Sequence, residues 1–505
     1  MYNLSFYGSH NAAVVLEKDG EILEVIEIER LLNLKNQGLA QYLTARNREF
    51  IVNSIKNYFG VEKYDTVLFQ NTDTNHNDKL YHYQKYFPAN NYIECKHHES
   101  HAAGSFYQSN HTKALILSYD GGGNDGFFNI YLADRKKGVE LIDSVDVNLG
   151  VGYSMFGNIC KQIKKEYYEI QGNLTYSGKL MGLAGYGKVR SEWFRDFIDW
   201  YSLPVKDVYK DNFFKMIKSL GIQLDDKKEA SEEDSKDIAA TSQYAFETVV
   251  YDILKPYLDK FNYPLHITGG SGLNVLLNTK LSEYREVFVS PNPSDCGLAV
   301  GMMLNYLKPK KAIDITYSGI EVLDKLTLPS IVESKSSLKY TPEQMAEYLK
   351  QGQIIGVVRG KSEHGPRALG NRSILCDPSI PEMKDILNSK VKHREFYRPF
   401  APVVRLEDVN KYFEWDKESR WMSFCPKVKV DNLPSITHVD NTARVQTVTK
   451  EQNAFLYELL GHIPVLLNTS FNVQGKPLVS TYSQALQVLD NTQMDKILLE
   501  DYFIW

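Results

Sequence analysis

The chain runs to 505 residues, beyond the size of a single hydrophobic core, so two or three domains are expected. Hydrophobic residues at 43% and charged residues at 24% exclude a disordered chain, and a net charge of −5 argues against a general nucleic-acid binder, which needs a basic excess to meet phosphate. No apolar run approaches the roughly eighteen residues of a membrane span and the opening is not a signal peptide, so the chain reads as cytoplasmic with no membrane partner.

The opening reads as strand, turn, strand: Leu4 to Tyr7, Ala12 to Glu17, a Lys18-Asp19-Gly20 hairpin, then Glu21 to Glu29. Farther on stands His97-His98-Glu99-Ser100-His101. His97 and His101 share one face of a helix and can grip one ion, whereas His98 points elsewhere. Ala114 to Tyr119 reads as a buried strand ending on Asp120, after which Gly121, Gly122 and Gly123 let backbone N–H groups approach an anion. Either motif alone is common on protein surfaces; their adjacency points to a nucleotide phosphate with its metal.

The charged stretch Gln223 to Asp237 reads as a solvated loop or the start of a helix, and Ile238 to Leu254 as a structural helix. Ile267 to Asn274, with Gly269 and Gly270 at its centre, has the strand, glycine turn and helix start that set a nucleotide against backbone amides. Val289 to Gly297 reads as an apolar strand ending on Asp295, a candidate fourth metal ligand, ahead of a helix Leu298 to Leu304. A hairpin beside a phosphate loop recurs in actin-like ATPase folds, whose two halves each carry a glycine-turned loop. The Asp120 and Gly269 loops are the candidates from the two halves.

A connector is expected near residues 312 to 335, after which the helix Pro342 to Gly352 and the strand Ile354 to Val358 begin a new domain. Arg359, Arg367 and Arg372 bracket Glu363 to Ser373, read as a turn and helix start dense in bidentate donors. Lys392, Arg394, Arg398, Arg444 and Asn468 to Asn472 add to them, and the set fits a small-molecule phosphate or carboxylate pocket. The five cysteines are scattered without a Cys-x-x-Cys pair and read as free thiols.

With these segments in order, the sequence resembles the ATP-dependent O-carbamoyltransferases, the family of nodulation-factor, cephalosporin and aminoglycoside carbamoyltransferases. The landmarks are Ser9 to Ala13, Glu29-Arg30, His97 to Ala103, Asp120 to Gly123, Gly178 to Ala184, Gly269-Gly270 with Leu273-Asn274, Ser294 to Gly297, Gly365 to Asp377, Lys392 to Pro402 and Asn468 to Asn472. They span nearly the whole chain. The resemblance implies an α/β protein with an actin-like ATP- and metal-binding domain over residues 1–320 and an α+β YrdC-like domain over 330–505.

It also implies two active sites. In the C-terminal domain carbamoyl phosphate is held and cleaved, Lys392, Arg398, Arg444, Ser470 and Asn472 matching the phosphate-binding pattern with Arg367 a further binding residue, and the carbamate passes internally to the other domain. There carbamate and ATP give carbamoyladenylate, from which an acceptor hydroxyl takes the carbamoyl group. His97, His101, Asp120 and Asp295 are implied ligands of a divalent ion, Fe²⁺ above others, used with Mg²⁺. Lys179, Gly182, Gly269, Gly270 and Asn274 match the nucleotide side, and His10 the acceptor side, as base or hydrogen-bond partner.

Asn11 and Asn124 stand where the family is commonly acidic, which leaves Asp125 as the substitute at the second position, and His364 stands where an apolar residue is frequent. The expected acceptor is a hydroxylated small molecule, sugar or modified nucleoside, bound by loops such as Leu31 to Glu49 and Asp73 to Asn90, and the expected assembly is a homodimer. A threonylcarbamoyladenylate enzyme of tRNA modification and a non-catalytic actin-fold nucleotide sensor are the competing readings. The net acidity disfavours the first and the arginine-rich C-terminal domain the second.

Overall fold

The computed structural model describes residues 1–36, 38, 45–70, 84–163 and 173–505. By its contacts the chain divides into Met1–Ile22 with Leu39–Ile313, and Leu23–Gly38 with Asp314–Trp505.

Two five-stranded sheets are built mainly from residues of the first unit. One contains β1 (Tyr2–Tyr7), β2 (Ala13–Lys18), β3 (Glu21–Glu27), β4 (Tyr64–Gln70) and β5 (Ala89–Glu94), in the order β3-β2-β1-β4-β5. The other contains β6 (Lys113–Tyr119), β7 (Phe128–Asp134), β8 (Gly138–Ser144), β9 (Leu265–Thr268) and β10 (Val287–Phe288), in the order β10-β9-β6-β7-β8. Counted from the first strand of each, the orders are the same. The first strand pairs antiparallel with the second (β1 with β2, β6 with β7) and parallel with the fourth (β1 with β4, β6 with β9). The unit is therefore a structural duplication of actin-like type that no sequence repeat announces.

This order overturns one expectation. The Asp120 and Gly269 loops do not come from different halves, because they leave β6 and β9, neighbouring parallel strands of one sheet. The counterpart of the Asp120 loop in the first half is the turn between β1 and β2, which carries His10 and Asn11. The apolar strand expected to end on Asp295 is also shorter: β10 stops at Phe288, and Asp295 opens a single 3-10 turn before the helix Leu298–Leu307. The charged stretch after Gln223 does lead into a helix, Glu232–Lys260, where Ser231 accepts from Asp234 N and three acidic residues favour the helix N-terminus.

Each half sends one helix inward from its last strand: His97–Tyr107 after β5 and Leu298–Leu307 after β10. They touch at glycines. A Cβ on Gly301 would lie 2.0 Å from the Ser100 carbonyl oxygen, and one on Gly104 would lie 3.2 Å from the Gly301 Cα. A Gly301→Ala substitution is therefore expected to destabilise the protein by about 3 kcal/mol and to pull the two histidines of the first helix away from Asp295. Urea denaturation of the variant measures the first effect and metal titration the second.

The second unit carries one eight-stranded mixed sheet. Its strands are β11 (Ser337–Lys339), β12 (Ile355–Val358), β13 (Arg372–Cys376), β14 (Ala401–Arg405), β15 (Gln446–Val448), β16 (Val465–Ser470), β17 (Lys496–Leu499) and β18 (Tyr502–Ile504). Their order is β11-β18-β17-β12-β13-β16-β14-β15. Ile355, Val357, Leu375, Val403, Leu466 and Leu498 from its central strands form one apolar core with the helices Pro342–Lys350 and Ala454–Leu459. Glu363 to Ser373 was expected to start a helix but instead bends directly into β13. All five cysteines are free, and no helix among the described residues is long and apolar enough to cross a membrane.

Candidate functional site

In the first unit, equivalent points of the two halves converge. His97 and His101 lie on the helix after β5, Asp295 opens the turn after β10, and Asp120 follows β6. One donor atom from each of the four lies within 4.8 Å of the others. The two Nε2 atoms face each other at 3.2 Å; His101 Nε2 is 3.5 Å from both Asp120 Oδ2 and Asp295 Oδ1, and His97 Nε2 is 3.7 Å from Asp295 Oδ1.

The neighbours of these side chains fix them. No Lys96 side chain caps the histidine helix. Its free N–H groups are instead met from the Asp120 loop: Asn124 Oδ1 accepts from His97 N at 2.9 Å, and the two Asp125 oxygens accept from His98 N at 2.8 Å and Glu99 N at 3.2 Å. Both residues are thus occupied as helix caps, which accounts for the asparagine. Gly123 packs on the His97 ring, where a Cβ would come within 2.9 Å. His98 does point away, its ring held between Ser118 Oγ at 2.8 Å and the Gly126 carbonyl at 2.9 Å.

The second glycine loop meets the first. Asp120 Oδ1 accepts from Gly121 N and Oδ2 from Gly270 N, while Gly269, at φ +85°, passes so close that a Cβ would lie 2.1 Å from the Tyr119 carbonyl oxygen. Asn274 is not free for a nucleotide: it caps the helix Val275–Ser282 through Leu277 N and pairs its amide with Gln243 in both directions. Lys179 and Gly182 lie on the helix Asn173–Ala184, the lysine buried. Gly122 lies beside Phe127. Of the expected acceptor loops, most of 37–44 and all of 73–83 lie outside the described residues.

Charge is shared unequally between the histidines. Burial pushes His97 down to about 4 against the attraction of Asp295, whereas at His101 burial is overcome by hydrogen bonds to Asp120 and Asp295, which lift it to about 9. Without metal, His101 therefore carries a proton at neutral pH, and an incoming cation must displace it. Metal affinity is expected to rise about tenfold per pH unit from 6.5 to 8.5 and to level off near 9, with about one proton released per ion. Calorimetry in buffers of different ionisation enthalpy measures the proton count.

The second unit gathers cations. Lys392 Nζ is enclosed by the Ser470 carbonyl and hydroxyl oxygens at 2.5 and 3.2 Å and by the Asn472 carbonyl and Oδ1 at 2.9 and 2.6 Å. Burial, then Arg394, Arg398 and Lys35, push it well below the usual lysine range. Arg367 is depressed by burial and by Arg444 and Arg398, and Arg444 is pushed down to about 10 by burial and Arg398. Arg444 Nε is buried without a hydrogen-bond partner. The one ion pair found for these groups among the described residues is Arg398 with Glu395, at 3.6 Å. Guanidiniums stay charged, so such crowding describes a pocket short of an anion.

Two expected donors are not part of it. Arg372 is buried against the carbonyls of Arg359, Gly360 and Asn371, and Arg359 pairs with Asp501. His364, which the sequence left without a role, donates from Nδ1 to Glu27 Oε1 at 3.0 Å, an oxygen that also accepts from Arg30 at 2.9 Å.

The model of the carbamoyltransferase N-terminus matches residues 12–304, and that of the carbamoyltransferase C-terminus matches residues 346–505. The chain belongs to the carbamoyltransferase family. Nodulation protein NolNO of Sinorhizobium fredii is 29% identical to this carbamoyltransferase over 98% of the chain and 79% of its own length. The 3'-hydroxymethylcephem-O-carbamoyltransferase of Streptomyces clavuligerus is 32% identical over 65% and 64%. Among solved structures, T. kodakarensis HypF aligns with 62% of this chain and 49% of its own at 13% identity, with a TM-score of 0.36.

Proposed function

We propose that this carbamoyltransferase uses carbamoyl phosphate and ATP to carbamoylate a hydroxyl of a small molecule, sugar or modified nucleoside. The observation that carries the reading is the pair of separate sites, a pocket rich in crowded cations in one unit and a metal-type donor set in the other.

In the pocket, Arg367, Arg398 and Arg444 hold the donor's phosphate, with Lys392 fixing Ser470 and Asn472 around it. Cleavage of the carbonyl carbon–oxygen bond by water releases phosphate and leaves carbamate. In the other unit a carbamate oxygen displaces pyrophosphate from the α-phosphorus of ATP, giving carbamoyladenylate. The backbone N–H groups of Gly122 and Gly123 meet the nucleotide phosphates. The acceptor oxygen then attacks the carbamoyl carbon, AMP leaves, and His10 takes the hydroxyl proton.

Two imidazoles and two carboxylates within reach of one point fit a divalent ion of the Fe²⁺ or Mn²⁺ kind, and a YrdC-like second domain is part of the same proposal. Bound by His97, His101, Asp120 and Asp295, the ion supplies Lewis-acid polarisation and orientation of phosphate oxygens. Anaerobic incubation with Fe²⁺, Mg²⁺, ATP and carbamoyl phosphate tests the reading. Pyrophosphate and a carbamoyladenylate mass are expected. ATP binding without either product would overturn it and turn attention to threonine and bicarbonate as substrates.

A further inference from the structure

Asp295 has two oxygens, and they face different partners. Oδ1 looks toward the histidines, 3.5 Å from His101 Nε2 and 3.7 Å from His97 Nε2. Oδ2 turns outward, where the Tyr7 hydroxyl donates to it at 2.5 Å and His10 Nε2 lies 3.3 Å away. Tyr7 is the last residue of β1 and is 1% exposed, so its hydroxyl is screened from bulk solvent. Its ring also stands edge-on to His97, with centroids 6.5 Å apart.

We infer that Tyr7 is a positioning residue that reserves Asp295 as a one-oxygen ligand. The inference rests on the metal reading above. A carboxylate with both oxygens free can chelate an ion and fill two positions; one whose outer oxygen is held by a buried phenol presents a single lone-pair edge. Asp120 is held differently: each of its oxygens accepts one backbone N–H, Oδ1 from Gly121 and Oδ2 from Gly270, and Oδ2 is the one that faces His101. Four donors that each give one atom would leave a bound divalent ion room for phosphate oxygens. The hydrogen-bonded partners of metal ligands commonly contribute ten- to a hundredfold in affinity.

The test uses Co²⁺ as a visible-absorbing probe, titrated into the full chain without nucleotide. The unaltered protein is expected to bind saturably, and Asp295→Asn to bind far more weakly. Tyr7→Phe is expected to weaken Co²⁺ binding about tenfold or more and to change the visible band, because the freed carboxylate either chelates or swings away. Melting of the metal-free forms shows that the variant is folded; Tyr7→Met, which fills the space with a flexible apolar chain, replaces it if it is not. Unchanged affinity and spectrum in a folded variant overturn the role of Tyr7 alone. Absence of saturable binding by the unaltered protein overturns the metal reading and this inference with it.

Discussion

A His101→Ala variant is expected to bind divalent metal on the order of a hundredfold more weakly than the unaltered protein, or not at all, and to release no pyrophosphate from ATP in the carbamoyl phosphate assay. His101 is the centre of the donor set, the one side chain 3.5 Å from both carboxylates. Its loss leaves Asp120 and Asp295 buried together without the imidazolium that separates them, so the metal-free variant should also melt at a lower temperature, most clearly at or below pH 6.5, where the proton that His101 holds up to about 9 contributes its full stabilisation. Equilibrium dialysis with Co²⁺ gives the affinity, and full binding by the variant would move the metal elsewhere in the chain.

An Arg398→Ala variant is expected to lose about 10²- to 10³-fold in carbamoyl phosphate turnover while binding ATP as before. The Arg398 charge acts on Arg367, Lys392, Arg394 and Arg444 and helps to depress all four, so it stands at the middle of the cation group. It is also partly open to solvent, unlike buried Lys392, and removing it should leave the fold intact. Arg398→Lys should recover only part of the rate, since an ammonium cannot offer two parallel N–H groups to a phosphate. Phosphate release measures the loss and ATP calorimetry the control. Equal loss of ATP binding would count against a pocket dedicated to the donor.

The parts of this arrangement that could be read in the sequence were those with local geometry. Four-residue spacing put His97 and His101 on one helix face, and an apolar run ending in Asp120 announced a strand whose tip carries the residue. What could not be read depended on pairing across long separations. The Gly269 loop seemed to belong to a second half because it lies far along the chain from Asp120, but β9 returns to pair with β6 after an excursion of helices. Arg372 resembled Arg367 as an anion donor; only the register of β12 against β13 turns its guanidinium into a cage of carbonyls. Tyr7 gave no signal at all, since a tyrosine at the end of a buried strand is by default a packing residue.

The contact boundary between the units has a consequence for dissecting the protein. Residues Leu23–Gly38 lie early in the chain yet fold with Asp314–Trp505, where Arg30 binds Ser362 and Glu363, and Glu27 accepts from Gly365 N. No single cut therefore separates one half from the other. A fragment beginning at Asp314 would lack the carboxylate that meets His364 and the guanidinium that meets Ser362, leaving an open seam in its interior. A transplanted C-terminal half has to carry the early segment with it, as a second piece or by circular permutation.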